Sequence, residues 1–519
     1  MPQFFNAGDW LIIIGYLVGI IALGVWFGKD QRNTRDYFLG SKNIPWWGIG
    51  FSIVAAETSA LTIIGVPAIA YGGDIAFIQM IVGYVIARII LAIVMVPHYF
   101  RGEIYSPYQL LETHLGLRVR RFAGAIFLVM ETMAAGVRVY VACIPIRLML
   151  GERILSFGGV LDPILGAILL FVGLSLIYTY IGGVKAVIWT DAVQFGLFLI
   201  GGLFALFYIP TLVEGGWPGA FKIAAEARKL HFLNTAFTFS APFNIWMGVL
   251  GGTALVMSTH GAEQLIVQRV LACRNIADGR KALALSAVVI FPLFLIFLLV
   301  GALLWVYYQT HAFKIPLPEA RPGIKSNDFI FPIFMMTEVP HLLRGFLIVA
   351  ILSAAMSSIS SALTALSSVS TMDFVKHLLP SRGDEFFLRF SRNSTVFWAA
   401  ALVGVAWLTR KVPFVLNAAF SLRGLTSGAL LGSLVMALFW KRLGATAVMC
   451  GMTASIVVMN VLYWPPQLEM TKHWWKQHGG VEVFWPWFTF IGGTATLLVA
   501  WLVSLCLPKS PATPDEKPR

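Results

Sequence analysis

Apolar stretches of about 20 residues, the length a helix needs to cross a bilayer about 30 Å thick, recur from one end of this chain to the other. Inside hydrocarbon the chain must satisfy every backbone N–H and C=O itself, which leaves helices and closed barrels as the only spanning structures. A barrel would show short alternating segments, and the runs here are continuous. The chain therefore reads as an all-α polytopic membrane protein with about thirteen spans, centred near residues 18, 58, 86, 135, 170, 199, 252, 294, 358, 400, 426, 454 and 495. With 58% hydrophobic and 12% charged residues among 519, a soluble globular domain is excluded.

Orientation follows from basic residues in the short connections. Lys29, Arg32, Arg35 and Lys42 follow the first span, and Arg101, Arg118, Arg120 and Arg121 the third. Arg269, Arg274, Arg280 and Lys281 follow the seventh, and Lys376, Arg382, Arg389 and Arg392 the ninth. All fall on one face, expected to be cytoplasmic, which puts the N-terminus outside and the short tail 508–519 inside. The net charge of +13 is then a topogenic bias, and nucleic acid is not an expected partner. Trp46, Trp47, Trp217, Trp246, Trp474, Trp475, Trp485 and Trp487 stand where interfacial anchors should. The opening MPQFFNAGDW lacks the basic region of a cleavable signal peptide. Cys143, Cys273, Cys450 and Cys506 show no paired spacing and read as packing residues.

Two spans look interrupted. The second carries Glu57, Thr58, Ser59 and Thr62 at mid-depth, with Gly65 and Pro67 beyond; the seventh has Gly251 and Gly252 near its middle. Irregular backbone survives at membrane depth only where it lines a cavity or is covered by protein, and its freed carbonyls commonly bind ions. Glycines also serve plain close packing in spans, so either position alone has two readings. Their separation by five spans fits two inverted five-helix repeats. In the ninth span, AAMSSISSAL sets Ser357, Ser358, Ser360 and Ser361 in an oily run. These are either small residues for helix packing or oxygens that replace the water around a hard cation.

The segments RDYFLGSKNIPWWGIGFSIVAAETSALTIIGVPA, YTYIGGVKAVIWTDAVQFGLFLIGG, EQLIVQRVLACRN and SAAMSSISSALTALSSVSTMDF occur in that order. Together they resemble the sodium:solute symporter family, which includes sodium/glucose, proline and sialic acid cotransporters. The resemblance implies one transmembrane domain over 1–519: an extra first helix and loop (1–43), inverted repeats at 44–210 and 240–440, two additional helices (441–507) and the tail. It also implies sodium as coupling ion, no cofactor, a small-molecule solute as partner, and a plasma membrane, by family habit a bacterial inner membrane.

Carried over from the family, a first sodium site falls on the backbone carbonyls of Ala55, Thr58 and Ala354 and the hydroxyls of Ser357 and Ser358. Helical spacing independently puts 354, 357 and 358 on one face. A second site, known in some members, matches Asp191 with Ser357, Ser360 and Ser361. The plainer reading of Asp191 is a hydrated residue near the cytoplasmic boundary, although an ionised group within a span is usually paired or functional.

The residues that grip sugar in glucose-type members are not kept. Glu57 stands where galactose transporters have Asn, Thr62 where they have Gln, and Ser258 and Thr259, ahead of His260, replace an aromatic pair. Charge takes their place. Arg138, in the fourth span, shares a helix face with Glu131, and Arg423 lies at mid-depth of the eleventh. A guanidinium cannot shed its proton in a protein, so each arginine needs a partner. Glu57 and Glu131 offer structural ion pairs, and a solute carboxylate forked by one arginine is the other solution. The arginine used for this in sialic acid transporters aligns with Arg138 only across a gap. Gln79 faces the same region in the family plan, and His260 reads as a helix-end residue at the cytoplasmic side. The candidate solute contacts are thus Glu57, Thr62, Gln79, Arg138, Thr259 and Arg423.

The expected function is sodium-coupled symport of a small organic anion, such as a sugar acid or sialic acid-like carboxylate. The alternatives are a neutral sugar or polyol as solute, proton coupling through Glu57 or Asp191, and a transporter-derived sensor. No metal-ligand cluster, nucleophile with its base, or phosphate-cradling loop is visible, so no enzyme is expected. The outer loops 211–244 and 308–340 are long enough to cover an entrance.

Overall fold

The computed structural model describes residues 5–29, 31–102, 104–156, 159–321, 324–409, 415–440 and 443–507; the tail 508–519 lies outside them. Helix α1 (Ala7–Phe27) opens on Asn6, whose side chain accepts the Asp9 N–H at 2.9 Å, while Asp9 Oδ2 accepts the Asn6 N–H at 3.0 Å. Two half-helices follow, α2 (Trp46–Glu57) and α3 (Ala60–Gly72), bent by 59°. Then come α4 (Ile78–Tyr99), α5 (Leu117–Leu155) and α6 (Pro163–Tyr208). The second half of the chain holds α7 (Thr253–Gly261), α8 (Gln264–Leu271), α9 (Ile276–Thr310), α10 (Leu343–Val369) and α11 (Asp384–Leu408). It ends with α12 (Val415–Phe439), α13 (Ala445–Gln467) and α14 (Phe488–Cys506).

Among the described residues nine helices are long and apolar enough to cross a membrane, and the bent pair α2–α3 makes a tenth. The remaining expected positions are also helical. α6 is two spans in tandem, broken at Gly183, whose φ of 52° and ψ of −152° suit only glycine; a Cβ there would lie 2.4 Å from the Tyr37 carbonyl. α11 fills the tenth expected position, and its first turn is acidic with Asp384 and Glu385. The α7–α8 pair fills the seventh.

The second interruption falls elsewhere than expected. Gly251 and Gly252 belong to a π-helical turn, Met247–Gly252, that runs straight into α7, and the chain breaks between Gly261 and Gln264. Gly251 serves close approach instead: a Cβ there would meet the Pro486 carbonyl at 2.3 Å. Glu263 occupies the true break in extended conformation (φ −107°, ψ 135°).

α10 runs through the centre, packed on α6, α5 and both halves of the first broken helix. Its span is 94% buried, against 17% for α1. The serines of AAMSSISSAL therefore face protein, not lipid.

Several topogenic and interfacial readings need correction. Arg269 and Arg120 are not loop cations: both are buried, Arg269 within α8 and Arg120 in α5, ion-paired to Asp373 at 2.6 Å. Trp485 and Trp487 are buried as well, whereas Trp47, Trp246 and Trp474 are exposed as anchors should be.

One face carries the long loops. Lys229 donates to the carbonyls of Tyr71 (2.7 Å) and Gly73 (2.8 Å) at the end of α3, and burial holds its ammonium below the usual lysine range. In the other loop, Glu319–Arg321 pairs antiparallel with Ile324–Lys325 ahead of a short helix, Ile330–Thr337.

Asp9 also ties α1 to α10. Its Oδ1 accepts the N–H groups of Leu342 (2.8 Å) and Gly345 (3.1 Å), and Oδ2 lies 2.7 Å from His341 Nδ1. One carboxylate thus serves the first turns of two helices. Asp9→Ala is expected to destabilise the protein by about 1–2 kcal/mol, the worth of a lost N-cap, seen as a lower unfolding temperature with the sodium response intact.

Candidate functional site

Four elements meet at Asp191, which is fully buried in the second half of α6. Its Oδ1 accepts the Ser357 hydroxyl at 2.6 Å, and Oδ2 accepts Ser52 Oγ at 2.6 Å and Arg269 Nη2 at 2.8 Å. Arg269 also donates from Nε to Ser52 at 2.8 Å and from Nη2 to Ser361. Asp191 is thus buried and paired, not a surface residue at the cytoplasmic boundary. The structure brings Asp191, Ser357 and Ser361 together; the Ser360 hydroxyl donates to the Ser357 carbonyl at 3.0 Å. Sequence reasoning missed Ser52 and Arg269. The signal for Arg269 was present, because EQLIVQRV is apolar around it with helical spacing.

Next to this cluster, the break after α2 leaves the last carbonyls of that helix without the N–H partners a continuing helix supplies. Thr58 closes α2 with its N–H on the Val54 carbonyl at 2.8 Å, and the Thr62 N–H turns back to the Ser59 carbonyl at 2.9 Å. Thr58 Oγ1 is buried and has no hydrogen-bond partner among the described residues. On α10 the Ser358 hydroxyl donates to the Ala354 carbonyl at 3.1 Å. A small cleft bordered by Ser59, Arg138 and Ser358 lies between the two helices.

A charged cavity of about 70 Å³ is lined by Glu57, Thr62, Arg138, Thr259, His260 and Arg423, with Tyr84, Phe294 and Phe420 among its aromatic walls. Three ion pairs surround it: Glu57 with Arg88, Arg138 with Glu131 (2.5 Å), and Arg423 with Glu263 (Nε–Oε2 3.0 Å). Each pair shows the cavity one member. Glu57, Arg138 and Arg423 have side chains 15%, 10% and 15% exposed, while Arg88, Glu131 and Glu263 are at 0%. The solute-facing surface therefore offers two donor-only forks and one acceptor-only carboxylate, with the counter-charges behind them.

Of the expected solute contacts, Glu57, Thr62, Arg138, Thr259 and Arg423 come together here, and Gln79 does not. Its amide donates to the Ala76 carbonyl at 3.1 Å and accepts the Asn234 N–H at 3.0 Å, so it ties a loop to the start of α4. His260 is likewise corrected. It ends α7, but as a buried wall of the cavity, with Arg88 Nη2 at 3.2 Å, Glu57 at 3.6 Å and Thr259 at 2.8 Å, and not at a cytoplasmic surface. Arg88 and Glu263, both buried, were missed: the first reads as one charge in an oily span, the second as a loop residue.

Two broken helices flanking a charged cavity deep within a helical bundle define a secondary transporter. The chain belongs to the sodium:solute symporter family, whose model matches residues 37–455. It is 31% identical to the sodium/sialic acid symporter SiaT of Proteus mirabilis, over 87% of this chain and 88% of that protein. It is 25% identical to the human sodium/iodide cotransporter, over 90% of this chain and 72% of that one. Among solved structures, a sodium-coupled sialic acid symporter in a substrate-bound outward-open state superposes with a TM-score of 0.84 at 26% identity, covering 98% of this chain and 100% of that one. The protein is a membrane-embedded, sodium-coupled symporter of a small solute, with no cofactor indicated, and not an enzyme.

Proposed function

We propose that the protein imports a small organic anion of the sugar-acid or sialic acid type together with sodium. The observation that carries this reading is the position of Arg138, which borders both the charged cavity and the cleft beside Ser358. A solute carboxylate in its fork lies next to the first sodium site, formed by the carbonyls of Ala55, Thr58 and Ala354 and the hydroxyls of Ser357 and Ser358. Arg423 supplies further donors, and Glu57 accepts solute hydroxyls, so a hydroxylated carboxylate matches the polarity of the wall. Thr62 and Thr259 add neutral contacts. Asp191 with Ser357, Ser360 and Ser361 forms the second sodium site, with the Arg269 guanidinium sharing the carboxylate.

Transport then follows from differential binding. Sodium shifts the conformational equilibrium only by the difference in its affinity for the two states, and it tightens solute binding by the same factor by which solute tightens sodium binding. Each positive charge moved inward at about 100 mV contributes about 2.3 kcal/mol. The repeats 44–210 and 240–440 rock around the site in a bacterial inner membrane, with the N-terminus outside and the tail inside.

The test is thermal stabilisation of the purified protein by sodium, screened with sugar acids, neutral sugars and amino acids. Sodium is expected to stabilise the wild type, more so with a sugar acid, and Ser358→Ala is expected to need about tenfold more sodium, as loss of one oxygen ligand worth about 1.4 kcal/mol implies. Stabilisation by neutral sugars alone would replace the anion reading. Uptake that persists when choline replaces sodium at constant pH would favour proton coupling, with His260 beside Glu57 as the group to examine.

A further inference from the structure

Toward the face that carries the long loops, the cavity wall is aromatic. Phe294 and Phe420 line it. Phe294 stacks on Phe77 with centroids 5.8 Å apart and planes 15° apart, and Phe420 stacks on Trp485 at 4.5 Å and 12°. Phe243 completes the ring, 4.9 Å from Phe77 and 6.1 Å from Trp485. Trp485 belongs to the connection between α13 and α14, beyond residue 455 where the family match ends.

That connection is strapped down. The Phe484 N–H donates to the Phe239 carbonyl at 2.8 Å, the Ser240 hydroxyl to the Glu482 carbonyl at 3.2 Å, and the Trp487 indole N–H to the Thr238 carbonyl at 3.0 Å. The Pro486 carbonyl sits over Gly251, where any larger residue would collide with it. Trp485 is left 4% exposed.

We propose that Trp485 is a positioning residue for the solute pocket. It holds Phe420 against the cavity in the closed arrangement, so a segment outside the family core sets how readily the pocket opens toward the loop face. The cavity of about 70 Å³ has room for several waters. Phe420 stands in the wall on the loop side, and the ring backing it is the Trp485 indole. Stacking favours the closed arrangement. The indole N–H opposes it, being buried without a hydrogen-bond partner among the described residues, a loss that water would repair on opening. With these two effects opposed, the wall is lightly held.

The test uses the full chain in reconstituted vesicles. A cysteine is placed on the cavity wall by Ala134→Cys, the exposed Cys450 and Cys506 are replaced by serine, and the buried Cys143 and Cys273 remain. A membrane-impermeant sulfonated thiol reagent is added outside. The fraction of molecules with the loop face outward is set by a parallel Met470→Cys variant, since Met470 is 95% exposed on that face. Trp485→Ala is expected to raise the modification rate about tenfold, the equivalent of one aromatic pair. Trp485→Phe keeps the ring and removes the unpaired N–H, and is expected to stay at or below the wild-type rate. An unchanged rate in Trp485→Ala, or an equal rise in both variants, overturns the proposal. Should Trp485→Ala fail to fold, Trp485→Leu takes its place in the same comparison.

Discussion

Arg269→Ala is expected to be the most damaging single substitution in the protein. It leaves Asp191 as an uncompensated charge in the centre of the bundle, and breaking a buried pair in this way costs about 3–5 kcal/mol. The measurement is thermal unfolding of the detergent-purified protein, with and without sodium. The double variant Asp191→Asn/Arg269→Gln removes both charges and keeps their hydrogen-bonding shapes, so it is expected to recover most of the stability. If the sodium response does not return with it, Asp191 contributes charge to the ion and not only to the fold. Near-wild-type stability of Arg269→Ala would mean that water reaches the pair and that its burial is confined to one conformational state.

Arg138→Gln is expected to weaken apparent affinity for a carboxylate-bearing solute by roughly 10- to 100-fold, as the loss of charge-assisted hydrogen bonds implies. Arg138→Lys is expected to recover little of it, because an ammonium cannot fork a carboxylate. The complication is Glu131, which loses its partner at 2.5 Å and keeps Arg423 at 3.9 Å. Glu131→Gln/Arg138→Gln separates the two effects. Restored stability without restored affinity identifies Arg138 as a solute contact, whereas recovery of both assigns it a structural role. Radiolabelled uptake in vesicles, with a sugar acid and its neutral parent sugar compared side by side, gives the readout.

Much of this arrangement was legible in the sequence because hydrocarbon permits so few structures. The all-helical membrane architecture and the serine face of α10 follow from apolar length and 3.6-residue spacing, and the broken second helix from Glu57, Thr58, Ser59 and Thr62 at its middle. Asp191, Arg138 and Arg423 stood out because a charge in an oily run demands an explanation. What stayed hidden was pairing between distant segments. Arg88 and Glu57 are 31 residues apart, and Arg423 and Glu263 are 160 apart, separations at which no periodicity speaks. Gly251 misled for a related reason: glycine permits both an unwound backbone and a close neighbour, and here the neighbour is Pro486, more than 200 residues downstream by sequence number. Trp485 misled because a tryptophan near a helix end looks the same from sequence whether it rests at the lipid interface or stacks inside the protein.

The breaks of α2–α3 and α7–α8 each hold a glutamate gripped by an arginine from another helix: Glu57 by Arg88 of α4, and Glu263 by Arg423 of α12. A bare interruption in a helix is a free joint, able to flex without moving anything else. These joints are pinned. Bending either elbow alone draws a carboxylate away from its cation, so α4 is tied to the first elbow and α12 to the second. Each bend is thus clasped by a straight helix, and His260 of α7, 3.2 Å from Arg88, joins the two clasps.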